Sequence, residues 1–275
     1  MKSMLPSSNE IFDIFPADRV PIIINSPHSG QQIPDYIVKS MTPEGLRLPD
    51  TDLFVDELYS FAPHLGICLV RAKFSRYVVD LNRPLPGGAA LYPGGRADSS
   101  VCPKHTFRGH PIYQENTVLK RAEIGYRVER FYKPYYDALE LLIKNLLSRF
   151  SKVLLFDAHS ISSELPDFPG FPFPDFILGN RHGKTCPQEL LDIAADQLGS
   201  NNFSVSLNEP FQGGQITRYF GEWDPRVFSF QLEMSQGLYL DEITGQKSKD
   251  FDKVSILLRT LLERFSDYMI EVENQ

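Results

Sequence analysis

Short apolar runs rich in β-branched residues alternate along the chain with longer stretches of helical periodicity, and this alternation restricts it to an α/β architecture. Strands are expected at Ile22–Asn25, Ile67–Arg71, Tyr77–Leu81, Val153–Asp157, Phe176–Leu178, Phe203–Leu207 and Val227–Glu233. Helices are expected at Asp52–Phe61, about Thr117–Phe150, Pro187–Leu198 and about Ser248–Val272. The long middle helix should kink or break near Pro134, which has no N–H to donate to the preceding turn. Strands interleaved with helices in this way predict a mixed, mostly parallel central sheet covered by helices on both faces.

Nothing in the 275 residues suggests an internal repeat or a linker, so residues 1–275 read as one domain. Two turn-rich segments, at about 84–111 and 161–174, are long enough to be expected as lids or binding loops. A formal charge of −7 argues against a surface that tracks nucleic-acid phosphates. No stretch approaches the roughly 20 apolar residues needed to span a bilayer, and the first 20 residues place acids and prolines where a signal peptide needs an apolar run. Cys68, Cys102 and Cys186 are scattered and odd in number, which suits a reducing compartment. A cytoplasmic protein binding neither nucleic acid nor membrane is expected.

The chemistry-bearing residues gather at strand ends, where sites form in open α/β sheets. In "PIIINSPHSG" a buried strand runs into His28, and in "VLLFDAHSIS" another runs into His159. Two imidazoles in equivalent positions point to a shared metal, and a catalytic zinc wants two His, one carboxylate and an open position. The carboxylates nearest to His28 in sequence are Asp35, Asp50, Asp52 and Asp56. In "LPDTDLFVDEL", Asp50 reads as a cap, Asp56 lies one turn into the helix, and Asp52 sits where it could face a cleft. All three also suit a helix amino end, so the residues alone leave the acidic ligand open.

"FSFQLEMSQGLYL" ends an alternating strand on Glu233, flanked by Leu232 and Met234; apolar surroundings raise a carboxyl pKa, as a general base requires. In "KFSRYVVDLNRPL", Arg76 precedes Asp80, and Asn82 and Arg83 follow it. Guanidinium forks recognise carboxylates and can offset an oxyanion, and Asp80 would orient one of them. "NEPFQGGQITRYFG" adds Arg218 after a Gly-Gly turn, a further candidate for an anionic group. Neither a dinucleotide or P-loop fingerprint nor a GxSxG elbow is present.

Taken in order, "NSPHSG", "DTDLFVDELY", "SRYVVDLNRP", "FDAHS", "GGQIT" and "LEMSQGLY" resemble the N-formylglutamate amidohydrolase (deformylase) family over roughly 20–240. That family is similar to zinc carboxypeptidases and aspartoacylases, so the resemblance implies a zinc-carboxypeptidase-like α/β fold. It implies one catalytic Zn²⁺ on His28 and His159, Glu233 as general base and acid, and Arg76 as the carbonyl polariser. Asn82 with Arg83 would clamp a substrate carboxylate, and Arg218 would take the other. The relatives carry their acidic ligand three residues after the first His; here that position is Gln31, and Asp52 is taken in its place over Asp50 and Asp56. The implied activity is hydrolysis of N-formyl-L-glutamate, a small dicarboxylate, to formate and glutamate, with a role in histidine breakdown. An amidohydrolase or peptidase for another N-acyl amino acid or short peptide, and a non-catalytic binder of acidic ligands, are the rival expectations.

Overall fold

All but one of the expected strands enter a single sheet, and the exception crosses the sheet's carboxyl end. The computed structural model describes residues 9–88, 100–163, 165 and 171–274. Its seven-stranded sheet contains β1 (Phe12–Phe15), β2 (Ile22–Ser26), β3 (Cys68–Ala72), β4 (Val153–Ile161), β5 (Phe176–Gly179), β6 (Val205–Leu207) and β7 (Val227–Ser235). They lie in the order β1-β3-β2-β4-β7-β5-β6. β3, β2, β4 and β7 run parallel; β1 is antiparallel to β3, and the parallel pair β5–β6 is antiparallel to β7. β1 was not expected, because its four residues include an acid and alternate only briefly. A two-stranded ribbon, β8 (Leu240–Asp241) with β9 (Gln246–Lys247), stands apart.

The helices are four single turns, α1 (Asp35–Val38), α2 (Pro43–Leu46), α3 (Val55–Leu58) and α4 (Ala62–Leu65), followed by α5 (Arg121–Arg127), α6 (Lys133–Leu147), α7 (Gln188–Gly199), α8 (Gln215–Trp223) and α9 (Phe251–Glu273). A widened π turn, Val128–Tyr132, joins α5 to α6 just before Pro134, so the chain absorbs the missing donor by widening rather than ending the helix. α8 was not expected from sequence either; the Gly-Gly turn before it hid its start. Among the described residues no helix is long and apolar enough to cross a membrane.

Strand residues alternate between two cores. Ile22 and Ile24 of β2 join Leu154 and Phe156 of β4 and Phe230 and Leu232 of β7 in the core under α3, α4, α7 and α9. Ile23, Val153 and Leu155 face the other core, under α5, α6 and α8. Burial on both faces explains why these parallel strands read as continuous apolar runs. Burying a Leu or Ile contributes about 1.5–3 kcal/mol, which fixes the register, since a one-residue slip would exchange the faces.

Two sequence expectations need correction. Tyr77–Leu81 is buried but is not a strand; it passes over the sheet's end in turns. Its carbonyls are satisfied by side chains instead of a ladder: Tyr113 Oη donates to Tyr77 O at 3.1 Å, Arg127 Nη1 to Val78 O at 3.3 Å, and Tyr136 Oη to Leu81 O at 2.8 Å. The helix expected at Asp52–Phe61 is only α3 and then α4, because Phe54 turns the chain with φ +61° before α3 begins. Of the expected loops, residues 89–99, 164 and 166–170 lie outside the described residues, and Ile161 still belongs to β4.

Candidate metal centre and active site

The face of the sheet that carries the α5–α6–α8 core turns polar at its carboxyl end. Asn25 on β2, Asp157 and His159 on β4, and Gln231 and Glu233 on β7 continue the same alternating rows as Ile23 and Leu155. Asn25 pairs in register with Asp157, Asp157 with Gln231, and His159 with Glu233. Same-face neighbours on paired strands lie side by side, so His159 and Glu233 are adjacent by register alone. His28 reaches the same place two residues beyond β2, with its ring centroid 4.9 Å from that of His159.

His28, Asp52 and His159 offer one ligand atom each within 4.8 Å of one another, all three buried. Asp52 Oδ2 lies 3.7 Å from His28 Nδ1 and 3.3 Å from His159 Nδ1. The outer nitrogens face other carboxylates: His28 Nε2 is 2.8 Å from Asp80 Oδ1, and His159 Nε2 is 3.0 Å from Asp157 Oδ1. Carboxylates therefore flank both nitrogens of each ring, and with an ion held by the two Nδ1 atoms each Nε2–H would donate to its outer carboxylate. This is the donor chemistry of a divalent-metal site with its outer carboxylates in place. The residues present fit such an ion.

Backbone bonds bring Asp52 there: its N–H donates to His28 O at 3.1 Å, while Ser160 N–H donates to Asp52 Oδ2 at 3.2 Å. Burial alone would raise the Asp52 carboxyl, but the hydrogen bonds and charges of His159 and His28 outweigh it and hold it well below the usual range. His159 shows the reciprocal effect. Burial works to lower it, and the Asp157 and Asp52 carboxylates drive it well above 6.5. The alternative acids are occupied elsewhere. Asp50 is no helix cap; it accepts from Tyr77 Oη at 2.7 Å and Phe107 N at 2.9 Å. Asp56 pairs with Arg71 at 2.8 Å. Asp35 opens α1, away from the group of three.

Arg76 is buried against the centre. Its Nη2 and Nε donate to Asp80 Oδ2 at 2.8 and 3.1 Å, its Nη1 donates to Asp50 O at 3.3 Å and lies 3.7 Å from Asp52 Oδ1, and Phe107 covers the guanidinium at 4.7 Å. Glu233 is half-buried on β7. Burial pushes its carboxyl up to about 8; the His159 charge opposes this and the Asp52 charge adds to it.

Asn82 and Arg83 follow Asp80 on the turn above. Asn82 Oδ1 accepts from Ile216 N at 2.9 Å, and its Nδ2 lies 3.1 Å from His159 Nε2. That contact can use at most one of the two Asn82 amide hydrogens, so one remains for another acceptor. Arg83 Nε is buried without a hydrogen-bond partner, 4.0 Å from Asp80 Oδ2. An unpartnered Arg83 Nε beside a spare Asn82 amide hydrogen is what an anionic ligand would complete. Arg218, on α8, lines a cavity of about 400 Å³ with Pro84, Tyr132 and Tyr136. Tyr132 Oη donates to Arg83 O at 3.0 Å, so this cavity adjoins the Asn82–Arg83 turn.

The turn leaves no room at Gly214, where a Cβ would lie 2.2 Å from Asn82 Nδ2 and 2.4 Å from its Oδ1. Gly214→Ala should displace that amide, leave Ile216 N without its acceptor, raise KM about 10-fold and lower thermal stability by about 1–3 kcal/mol; steady-state kinetics and melting check this.

Sequence reasoning did not single out Asn25, Asp157 or Gln231. Their signal was nonetheless present: polar residues at alternate positions of otherwise apolar strands, on the face that also carries His159 and Glu233. Asn25 Nδ2 donates to Asp157 Oδ1 at 2.7 Å and Thr217 Oγ1 to Asp157 Oδ2 at 3.1 Å, which holds the carboxylate behind His159.

The chain is similar to several known proteins. A family model described as N-formylglutamate amidohydrolase matches residues 20–240. Proteins named N-formylglutamate deformylase from Pseudomonas putida and Pseudomonas aeruginosa are each 35% identical, over 232 and 229 residues, spanning 83% of this chain and 85% of each relative. The crystal structure of N-formylglutamate amidohydrolase from Ralstonia eutropha JMP134 superposes with a TM-score of 0.84 at 28% identity, covering 96% of this chain and 99% of that one. A gene product of Agrobacterium tumefaciens, at a TM-score of 0.67 and 18% identity over 94% of this chain and 96% of that one, shares the fold.

Proposed function

The chain belongs to the N-formylglutamate amidohydrolase family, and from that premise we propose that it is a zinc-dependent amidohydrolase cleaving N-formyl-L-glutamate to formate and L-glutamate. The observation that carries the reading is the inward convergence of His28 Nδ1, Asp52 and His159 Nδ1 beside a carboxylate of raised pKa. His28, Asp52 and His159 would hold the ion. When bound, it supplies Lewis acidity, which favours ionisation of water and offsets negative charge on an acyl oxygen.

The chain's own groups do the rest. A Glu233 carboxylate oxygen takes a proton from the attacking water as its oxygen bonds to the formyl carbon. The Arg76 guanidinium offsets the charge that builds on the formyl oxygen. Glu233 returns the proton to the amide nitrogen as the C–N bond breaks, so that formate and the free amine leave. Asn82 Nδ2 and Arg83 Nε bind one substrate carboxylate, and Arg218 receives the other. Selectivity then rests on the carboxylates, since a substrate lacking one leaves buried donors unpaired. The three buried, unpaired thiols suit a reducing, cytoplasmic setting.

Purified protein should contain about one zinc per chain, and a chelator should abolish release of formate from formylglutamate, with zinc restoring it. Arg83→Ala should raise KM ~10–100-fold with kcat changed much less. Turnover that survives complete metal removal, or an unchanged KM in Arg83→Ala, would overturn the corresponding assignment.

A further inference from the structure

One buried amide touches both halves of the site. Gln231 sits on β7 two residues before Glu233, on the same face, and is 3% exposed. Its Oε1 accepts from Gly214 N at 2.7 Å, and its Nε2 lies 3.3 Å from Glu233 Oε2. The orientation of the amide is forced: a backbone N–H only donates, so the oxygen must face Gly214 and the NH₂ group must face Glu233. Gly214 in turn begins the segment that grips Asn82, through Ile216 N to Asn82 Oδ1 at 2.9 Å and close packing of Gly214 against the Asn82 amide. A buried amide is costly unless both of its ends are bonded. An apolar residue would fill this strand position more cheaply, yet both ends of Gln231 are spent on functional elements.

We propose that Gln231 is a positioning residue that fixes the Glu233 carboxylate relative to the Asn82–Arg83 clamp, by bridging Gly214 N and Glu233 Oε2 with a single side-chain amide. The proposal rests on Glu233 being the base. With Glu233 Oε2 engaged by Gln231, the other oxygen, Oε1, is the one presented to the proton that moves. A carboxylate that swings by about 1 Å loses the alignment that proton transfer needs, a defect worth up to ~10²-fold in rate.

Two substitutions separate this role from a scaffold role. Gln231→Glu keeps an acceptor for Gly214 N but, at high pH where the new carboxyl is ionised, has no donor for Glu233, so there kcat for formylglutamate should fall ~10–100-fold while KM stays within about 3-fold. Gln231→Met loses both ends, so kcat should fall similarly and KM should also rise. In a Glu233→Gln background, Gln231→Met should lower the residual kcat no further. Metal content, measured on each purified variant, should match the parent protein.

Normal kcat in either single variant would overturn the proposal. So would a Gln231→Glu defect confined to KM, or a full multiplicative loss in the double variant, which would mean that Gln231 acts independently of the base. Failure of the underlying reading looks different: Glu233→Gln would itself turn over formylglutamate normally.

Discussion

Replacing Glu233 with Gln is expected to lower kcat for formylglutamate about 10²–10⁴-fold while the protein keeps its metal and its fold. The amide has nearly the shape of the carboxyl but cannot take up a proton, so the loss reports proton transfer and not packing. Burial raises the Glu233 carboxyl to about 8, and a cation bound nearby would bring it down again. The base works only when ionised, so kcat/KM of the parent enzyme should fall as pH drops through that ionisation, giving an acid limb at or below about 8. Glu233→Gln should lose the limb together with the turnover. A variant that keeps full rate, or that keeps the limb unchanged, assigns the base elsewhere.

The largest effect on stability is expected from Asp80→Ala. Asp80 accepts from His28 Nε2 at 2.8 Å, from Arg76 Nη2 and Nε at 2.8 and 3.1 Å, and from Asn82 N at 2.9 Å. Removing it leaves a buried guanidinium with only Asp50 O at 3.3 Å and the more distant Asp52 carboxylate. Breaking a buried pair from one side costs about 3–5 kcal/mol, a large share of the roughly 5–15 kcal/mol that holds a domain folded. Melting of chelator-treated protein should therefore occur on the order of 10 °C lower.

The pH dependence has a definite sign. Burial would raise the Asp80 carboxyl above 3.8, but the charges of Arg76, His28 and Arg83 outweigh it and hold it well below that value. Its contribution is thus complete above the unfolded value of about 4 and fades as pH falls through the depressed one. The gap between parent and variant should be widest near neutrality and narrow in acid. An equal gap at all pH values would mean that packing, not charge, sets the loss.

The parts of the fold that were readable in the sequence are those governed by local pattern. The β2, β4 and β7 runs are apolar because both faces of a central parallel strand are buried. His159 and Glu233 stood out because polarity returns at the ends of those runs. What stayed hidden depends on distant partners. Tyr77–Leu81 has a strand's composition, but its carbonyls are taken by Tyr113, Arg127 and Tyr136, and no local window contains those residues. Asp50, Asp52 and Asp56 look alike in sequence. The turn at Phe54 and the bond from Asp52 N to His28 O set Asp52 apart, while Tyr77 and Arg71 occupy the others. Gln231 was overlooked for a similar reason: Gly214, its acceptor's partner, arrives from another segment of the chain.

One metal ion is expected among His28, Asp52 and His159, with hydrolysis dependent on it. Anomalous diffraction from crystals of the purified protein, recorded on both sides of the zinc absorption edge, tests this most directly. A single strong peak is expected within bonding distance of His28 Nδ1, His159 Nδ1 and an Asp52 carboxylate oxygen, with Glu233 beside it. A peak bound by other residues, or none at these three in crystals of protein that still hydrolyses formylglutamate, would contradict it.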